Sequence, residues 1–294
     1  MLKKNTALTF LGFSLLTLNL SCSRVPEMSL AEIEAYRASS QNELIQKTVS
    51  KPWHDEAWVN GKQGGTWYGT ISGDPKSFNF LIAERDGETS GILQNLNDYL
   101  VDYNMEKKSW VPRLASFEIK TFEENGTMDV IYTLRDDLYW SFYKNSRPRV
   151  KVTSDDVVFW YDEIVGDSEM GSSGYNAQYM EMENGEVQKI TIEKLDDLRF
   201  VFHFPRIVAE PLLATNMDFG PAFIYREAKE KGGAQGVKDL HSVATDPKTL
   251  PCLGSYFISE YTPGQRIVYE RNDDFWEKMK MERAFTILKR SFVR

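Results

Sequence analysis

Hydrophobic positions fall into three regimes along this chain. Residues 7–20 are almost wholly apolar, broken only by Thr9, Gly12, Ser14, Thr17 and Asn19, and they follow a start with two lysines and no acid. A basic start, an apolar run too short to span a bilayer comfortably, and small residues after it make the pattern of a secretory signal. Residues 23–61 are polar and charged. Within them Leu30, Ile33, Tyr36, Leu44, Ile45 and Val49 keep helical spacing, which predicts a helical spacer over 28–49. Globular patterning begins near Gly64 and Gly65. Strand-like runs at 66–71, 117–120, 128–134, 187–192 and 199–204 are interspersed with helical spacing at 89–99, 154–165 and 209–215. Mixed order without regular alternation predicts a mixed α/β (α+β) layered domain. No internal repeat is visible. Gly232-Gly233-Ala234-Gln235-Gly236 reads as a surface loop, because no strand-to-helix context surrounds it.

The apolar start ends in Leu18-Asn19-Leu20-Ser21-Cys22. Bacterial lipoprotein signals place a small residue before the cysteine and an aliphatic one three before it. Ser21 and Cys22 fit, and Asn19 departs. The expectation is cleavage before Cys22 and acylation of its thiol and new amino group; an ordinary secretory signal cut a little further on is the alternative. Two or more acyl chains hold a protein firmly to a bilayer. The expected location is therefore the cell envelope, periplasmic and tethered to the membrane by a lipid anchor. With Cys22 acylated only Cys252 remains, so no disulfide forms within the chain, and Cys252 reads as a small buried hydrophobe.

Composition narrows the chemistry. Forty-one per cent hydrophobic and 27% charged residues describe an ordinary globular protein, and the net charge of −8 becomes −10 once Lys3 and Lys4 leave with the signal. No basic cluster stands out that could track phosphates, which argues against a nucleic-acid partner. His54, His203 and His241 are the only histidines and show no metal-ligand spacing, and no G-x-S-x-G elbow is present. Neither an enzyme, a metal nor a cofactor is expected.

Three places carry clear local physics. Ile71-Ser72-Gly73-Asp74-Pro75-Lys76-Ser77-Phe78-Asn79 leaves a strand and turns sharply, because Gly73 opens backbone angles closed to other residues and Pro75 disfavours helix at Asp74. Such a turn exposes backbone groups, as either a surface turn or a ligand wall. Thr153 with Asp156 three residues on makes an approximate capping box for a helix, and Asp155 and Asp156 complement its dipole. Adjacent helical residues point about 100° apart, so these two acids have structural roles rather than forming a catalytic pair. Pro263-Gly264 fills the centre of a type II turn, and the alternation after it predicts a hairpin strand.

The same segments, in the same order, resemble the family 5 extracellular solute-binding proteins, the oligopeptide, dipeptide and nickel binders of ABC importers. The resemblance rests on Gly73-Asp74-Pro75-Lys76-Ser77-Phe78-Asn79, Leu96-Asn97-Asp98-Tyr99, Pro112-Arg113-Leu114-Ala115, Tyr132-Thr133-Leu134-Arg135, Thr153 with the helix start after it, and Gly254-Ser255-Tyr256 followed by Pro263-Gly264-Gln265 and Trp276. It covers roughly residues 64–278. It implies the first lobe of a periplasmic-binding-protein-like fold (type II, cluster C) in a clamp that closes on a ligand by hinge motion and docks on an ABC permease in the cytoplasmic membrane. The implied cargo is a peptide or other small solute. Ser72, Gly73 and Asp74 would lie on the cleft wall, with Glu88, Thr89 and Ser90 near it, and backbone pairing would tolerate many peptide sequences.

The departures matter too. Leu138-Tyr139-Trp140-Ser141-Phe142-Tyr143 keeps the tryptophan of the family's Trp-His-Asp-Gly-like turn without its histidine or glycine, and Cys252-Leu253 replaces a glycine-threonine pair. The expected organisation is a signal at 1–21, an anchor and spacer at 22–63, the first lobe at 64–278 and a divergent tail at 279–294, with the second lobe largely missing. A non-transporting envelope lipoprotein derived from such a binder is the alternative function.

Overall fold

The computed structural model describes residues 65–105, 107–277 and 289–293, together with 29, 31–32, 34–35 and 38–39. Cys22 and the signal lie outside the described residues. Of the expected spacer, residues 31–32, 34–35 and 38–39 are helical, and Ser29 caps them: the Ser29 amide and hydroxyl donate to Glu32 Oε2 at 2.8 Å each. Residues 1–59 and 60–294 form separate compact units, and the rest of the fold belongs to the second.

That unit begins with strand β1 (Thr66–Gly69), the turn at 71–79, and helices α1 (Phe80–Ala83) and α2 (Gly87–Leu93). Strands β2 (Val101–Asn104) and β3 (Ser109–Pro112) form a hairpin, as do β4 (Ala115–Phe122) and β5 (Thr127–Leu134). The short pair β6 (Tyr139–Trp140) and β7 (Val150–Lys151) leads to helix α3 (Ser154–Phe159), and β8 (Tyr179–Glu181) pairs β9 (Val187–Lys189). Strands β10 (Thr191–Lys194) and β11 (Arg199–Phe204), helices α4 (Pro211–Thr215) and α5 (Ala222–Asp239), hairpin β12 (Tyr256–Thr262) and β13 (Arg266–Arg271), and strand β14 (Lys289–Val293) complete it. Two four-stranded sheets result. One is antiparallel in the order β10-β11-β5-β4. The other has the order β1-β14-β13-β12, with β1 parallel to β14. Strand β14 lies in the stretch expected to be a divergent tail.

The antiparallel sheet shows why its strands were easy to predict. On β5 buried and partly exposed positions alternate, with Met128, Val130, Tyr132 and Leu134 on the buried face. Tyr132 faces Phe200 in register, stacks on it at 5.3 Å and 19°, and meets Phe202 edge-on at 6.0 Å. Tyr161 adds another edge contact to Phe202 at 5.0 Å. Each such ring contributes about 1.5–3 kcal/mol by burial and about 1 kcal/mol more by ring geometry. The Tyr132 hydroxyl does not go unpaired in this core, since it shares a hydrogen with Thr215 Oγ1 at 2.7 Å.

Helices depart more from the sequence pattern. The predicted helix at 154–165 is α-helical only to Phe159 and then widens into a π-turn over Trp160–Val165. The five-residue bond from Gly166 N–H to the Tyr161 carbonyl, at 2.9 Å, closes that turn. The predicted helix at 89–99 is displaced to Gly87–Leu93, because Asp86 caps its start and the Asn97 and Asp98 side chains accept the amides of Asp98 and Tyr99 beyond its end. The strand predicted at 187–192 breaks at Ile190, whose amide donates to the Gln178 carbonyl at 2.7 Å. The glycine-rich stretch read as a loop lies inside α5, which kinks at Gly233 (φ 58°) and resumes to Asp239.

Candidate ligand-binding site

The turn at 71–79 is anchored from three directions. Asp86 caps α2 by accepting the Thr89 amide at 2.9 Å and its hydroxyl at 2.7 Å. The Thr89 oxygen in turn accepts the Lys76 amide at 3.0 Å, and Lys76 Nζ returns to Asp86 Oδ2 at 2.8 Å. The Lys76 ammonium, with the Thr89 hydroxyl and amide, holds the Asp86 carboxyl down to about 2. Further along, both oxygens of Asp74 accept the Gly264 amide at 3.0 Å. That amide is free to donate outward because Gly264 sits at φ 69°, the third position of a turn closed by Gln265 N–H to the Thr262 carbonyl.

The far end of the turn is buried. The Phe78 amide and Ser77 hydroxyl donate to the His241 carbonyl at 2.7 and 3.0 Å. Asn79 Oδ1 accepts the Leu81 amide and caps α1, while Nδ2 donates to the Val237 carbonyl at 2.6 Å. The Tyr225 hydroxyl donates to Asn79 Oδ1 at 3.0 Å and accepts the Phe80 amide at 3.2 Å. Asparagine in this motif therefore fastens the turn to α5 and serine to the segment just after it, and the exposed Ser72 and Asp74, with half-buried Gly73, form the part that faces outward.

Both predicted groups come together here. A side chain at Gly73 would stand 3.4 Å from Glu88 Cγ, so the first segment passes directly beside the second. Ser90 is exposed, Glu88 is half-buried, and Thr89 is fully buried with its hydroxyl committed to the turn. Sequence reasoning missed the cap at Asp86 and the bond from Asp74 to the Gly264 turn. The first was legible in Asp86-Gly87-Glu88-Thr89; the second spans 190 residues and had no local signal. Among the described residues no group of histidine, cysteine and carboxylate side chains could hold a metal ion, and no helix is long and apolar enough to cross a membrane.

Four of the scattered sequence motifs also come together in this unit. Asp98 accepts Arg113 Nε at 2.6 Å, Arg113 Nη2 at 2.9 Å and Trp276 Nε1 at 2.9 Å. The Arg135 guanidinium lies 4.5 Å over the Trp276 ring, with that of Arg113 at 5.5 Å. Gly254 passes so close to the chain after α2 that a Cβ there would come within 2.4 Å of the Asn95 carbonyl oxygen. Residues up to 178 positions apart are thus tied together.

The chain belongs to the bacterial extracellular solute-binding proteins, family 5: the model described as family 5 Middle matches residues 109–284. It is similar to a probable ABC transporter-binding protein of Deinococcus radiodurans, 23% identical over 75% of this chain and 35% of that one. It is also similar to the dipeptide-binding protein of Escherichia coli, 25% identical over 69% of this chain and 37% of that one. The chain spans about a third of the length of these relatives. Among solved structures, the periplasmic binding protein MelB of Agrobacterium fabrum, in complex with stachyose, superposes with a TM-score of 0.62 at 21% identity, over 80% of this chain and 35% of that one. The Helicobacter pylori periplasmic binding protein DppA, in complex with the peptide STSA, gives 0.57 at 20% identity, over 79% and 43%. These structural likenesses establish the fold: mixed α/β, with a part of the periplasmic-binding-protein architecture. The family consists of solute-binding proteins, not enzymes.

Proposed function

We propose that this chain is the substrate-binding component of an ABC importer, presenting peptides or a similar small solute to a permease in the cytoplasmic membrane. Its place is the cell envelope, where acylation of Cys22 tethers it to the membrane. The observation that carries the reading is the family match over residues 109–284, supported by a dipeptide-binding relative and a peptide-bound structural neighbour. Ligand meets the wall formed by Ser72, Gly73 and Asp74, with Glu88 and Ser90 beside it, and Thr89 holds the wall in shape from behind. A turn fixed by Asp74 at one end and Asn79 at the other presents its backbone without further ordering, which favours main-chain pairing with an extended peptide.

The test is thermal unfolding of the full chain with a mixed peptide library and, separately, with oligosaccharides. A ligand that binds only the folded state raises the melting temperature by mass action. A shift with peptides supports the reading, and a shift confined to oligosaccharides reassigns the solute. A cooperative transition that no solute moves rejects it.

A further inference from the structure

The stretch from Leu138 to Val152 contains no acid and four cations, Lys144, Arg147, Arg149 and Lys151. The fold adds Lys248 to them, since Lys144 and Lys248 share the Tyr143 ring. Strands β6 and β7 pair Tyr139 with Lys151 and Trp140 with Val150, and the connection between them turns through Lys144 and Asn145 at φ 47° and 56°. Each of four cations lies over an aromatic ring: Arg149 over Tyr139 at 4.9 Å, Arg147 over Phe142 at 5.2 Å, and Lys144 and Lys248 over Tyr143 at 4.8 and 5.9 Å. Two are partly neutralised, Lys144 by Glu270 at 3.6 Å and Arg149 by Asp274 at 2.9 Å. Arg147, Lys151 and Lys248 are exposed and have no carboxylate within 4 Å among the described residues.

The physical character of this face is specific. A ring beneath a guanidinium or ammonium restrains a long side chain while leaving its outward N–H groups unused, so less freedom is lost when an anion arrives. All five cations are exposed, which suits phosphates on an open surface more than a single enclosed oxyanion. Single-stranded nucleic acid needs open aromatic faces for base stacking, and here those faces are covered by the chain's own cations. Half-exposed Val150 and the partly buried Tyr139 and Tyr143 lie among the charges, a mixture suited to the headgroup region of a bilayer. The chain's net charge of −8 does not forbid this, because acids more than about 8 Å away are screened at physiological salt.

We propose that the face formed by Lys144, Arg147, Arg149, Lys151 and Lys248 docks on anionic phospholipid headgroups. It rests on the reading that the protein works at a membrane surface, and it gives the lobe a preferred orientation there. The test is co-sedimentation of the full chain with vesicles of phosphatidylcholine alone and with about one third phosphatidylglycerol. Binding to the neutral vesicles reports the lipid anchor; the excess on anionic vesicles reports this face. An acidic protein held by an anchor alone would favour the neutral vesicles. The expected result is about tenfold stronger partitioning onto the anionic ones, abolished by about 0.5 M salt. The same excess should disappear in Arg147→Glu/Lys151→Glu and fall in Arg147→Gln/Lys151→Gln, with neutral-vesicle binding and melting temperature unchanged. Excess binding to anionic vesicles with none to neutral ones would reject the anchor and keep the docking face. Equal or weaker partitioning onto anionic vesicles, an excess indifferent to charge reversal, or a preference for an oligonucleotide over vesicles would overturn it.

Discussion

The carboxylate of Asp156 accepts the backbone amide of Ala222 at 2.7 Å, 66 residues away, while its other oxygen accepts the Thr153 amide at 2.9 Å. One buried acid therefore caps the starts of α3 and α5 together. Removing it in Asp156→Ala leaves the buried Ala222 amide and the half-buried Thr153 amide without acceptors and should cost about 3 kcal/mol in urea unfolding.

The same carboxylate gives a pH signature. Burial raises its pKa to about 6 from 3.8, against the two amide bonds that lower it. A group raised in the folded state contributes stability that is complete below its unfolded value and is lost as pH rises through the folded one. The advantage of wild type over Asp156→Asn should therefore shrink by about 2 kcal/mol between pH 4 and 7, measured by denaturant unfolding at each pH.

His241 titrates with the opposite sense. Its ring Nδ1 is buried without a partner among the described residues, and desolvation pushes the imidazole down to about 4 from 6.5. Its share of stability is present above pH 6.5 and is lost as pH falls through 4. Asparagine tolerates the positive φ of 54° at this position. His241→Asn should thus keep the carbonyl that holds Ser77 and Phe78 and reduce the loss between pH 6.5 and 4 by up to about 3 kcal/mol. An unchanged acid limb in the stability profile would remove His241 as its cause.

Gly254 should be the least replaceable glycine. Alanine there would place its methyl 2.4 Å from the Asn95 carbonyl oxygen and 2.7 Å from the Asn97 amide nitrogen, both backbone atoms that cannot move aside alone. A loss of about 2–4 kcal/mol is expected for Gly254→Ala, read from the urea midpoint.

Cys252 should ignore thiol reagents in the native state. It is fully buried, and burial pushes its thiol up to about 12 against weak contacts from its neighbours. Iodoacetamide labelling should follow global unfolding, with modification only after denaturant is added.

How much of this was legible depended on sequence distance. The strands of the antiparallel sheet, the Thr153–Asp156 cap and the Pro263–Gly264 turn are written in neighbouring residues, so pattern alone located them. The helices were less legible, because Asp86, Asn97 and the π-turn at Gly166 redraw their ends through side-chain bonds that apolar spacing does not encode. The candidate wall was half legible. Gly73 and Pro75 announced a turn, but nothing local joined Asp74 to Gly264 or Asn79 to Val237. The cationic face was obscured for another reason: its charges alternate with neutral residues and draw on Lys248 from a distant segment, so charge counting over the whole chain averaged it away.

The parallel pairing of Thr66 with Lys289 joins positions 223 residues apart. Hairpins such as β4–β5 and β12–β13 can form within microseconds of being made, but closing so large a loop carries an entropy cost that must be met before any ladder bond forms. The first strand must therefore wait, unpaired and carrying exposed Trp67 and Tyr68, until the last strand has been synthesised.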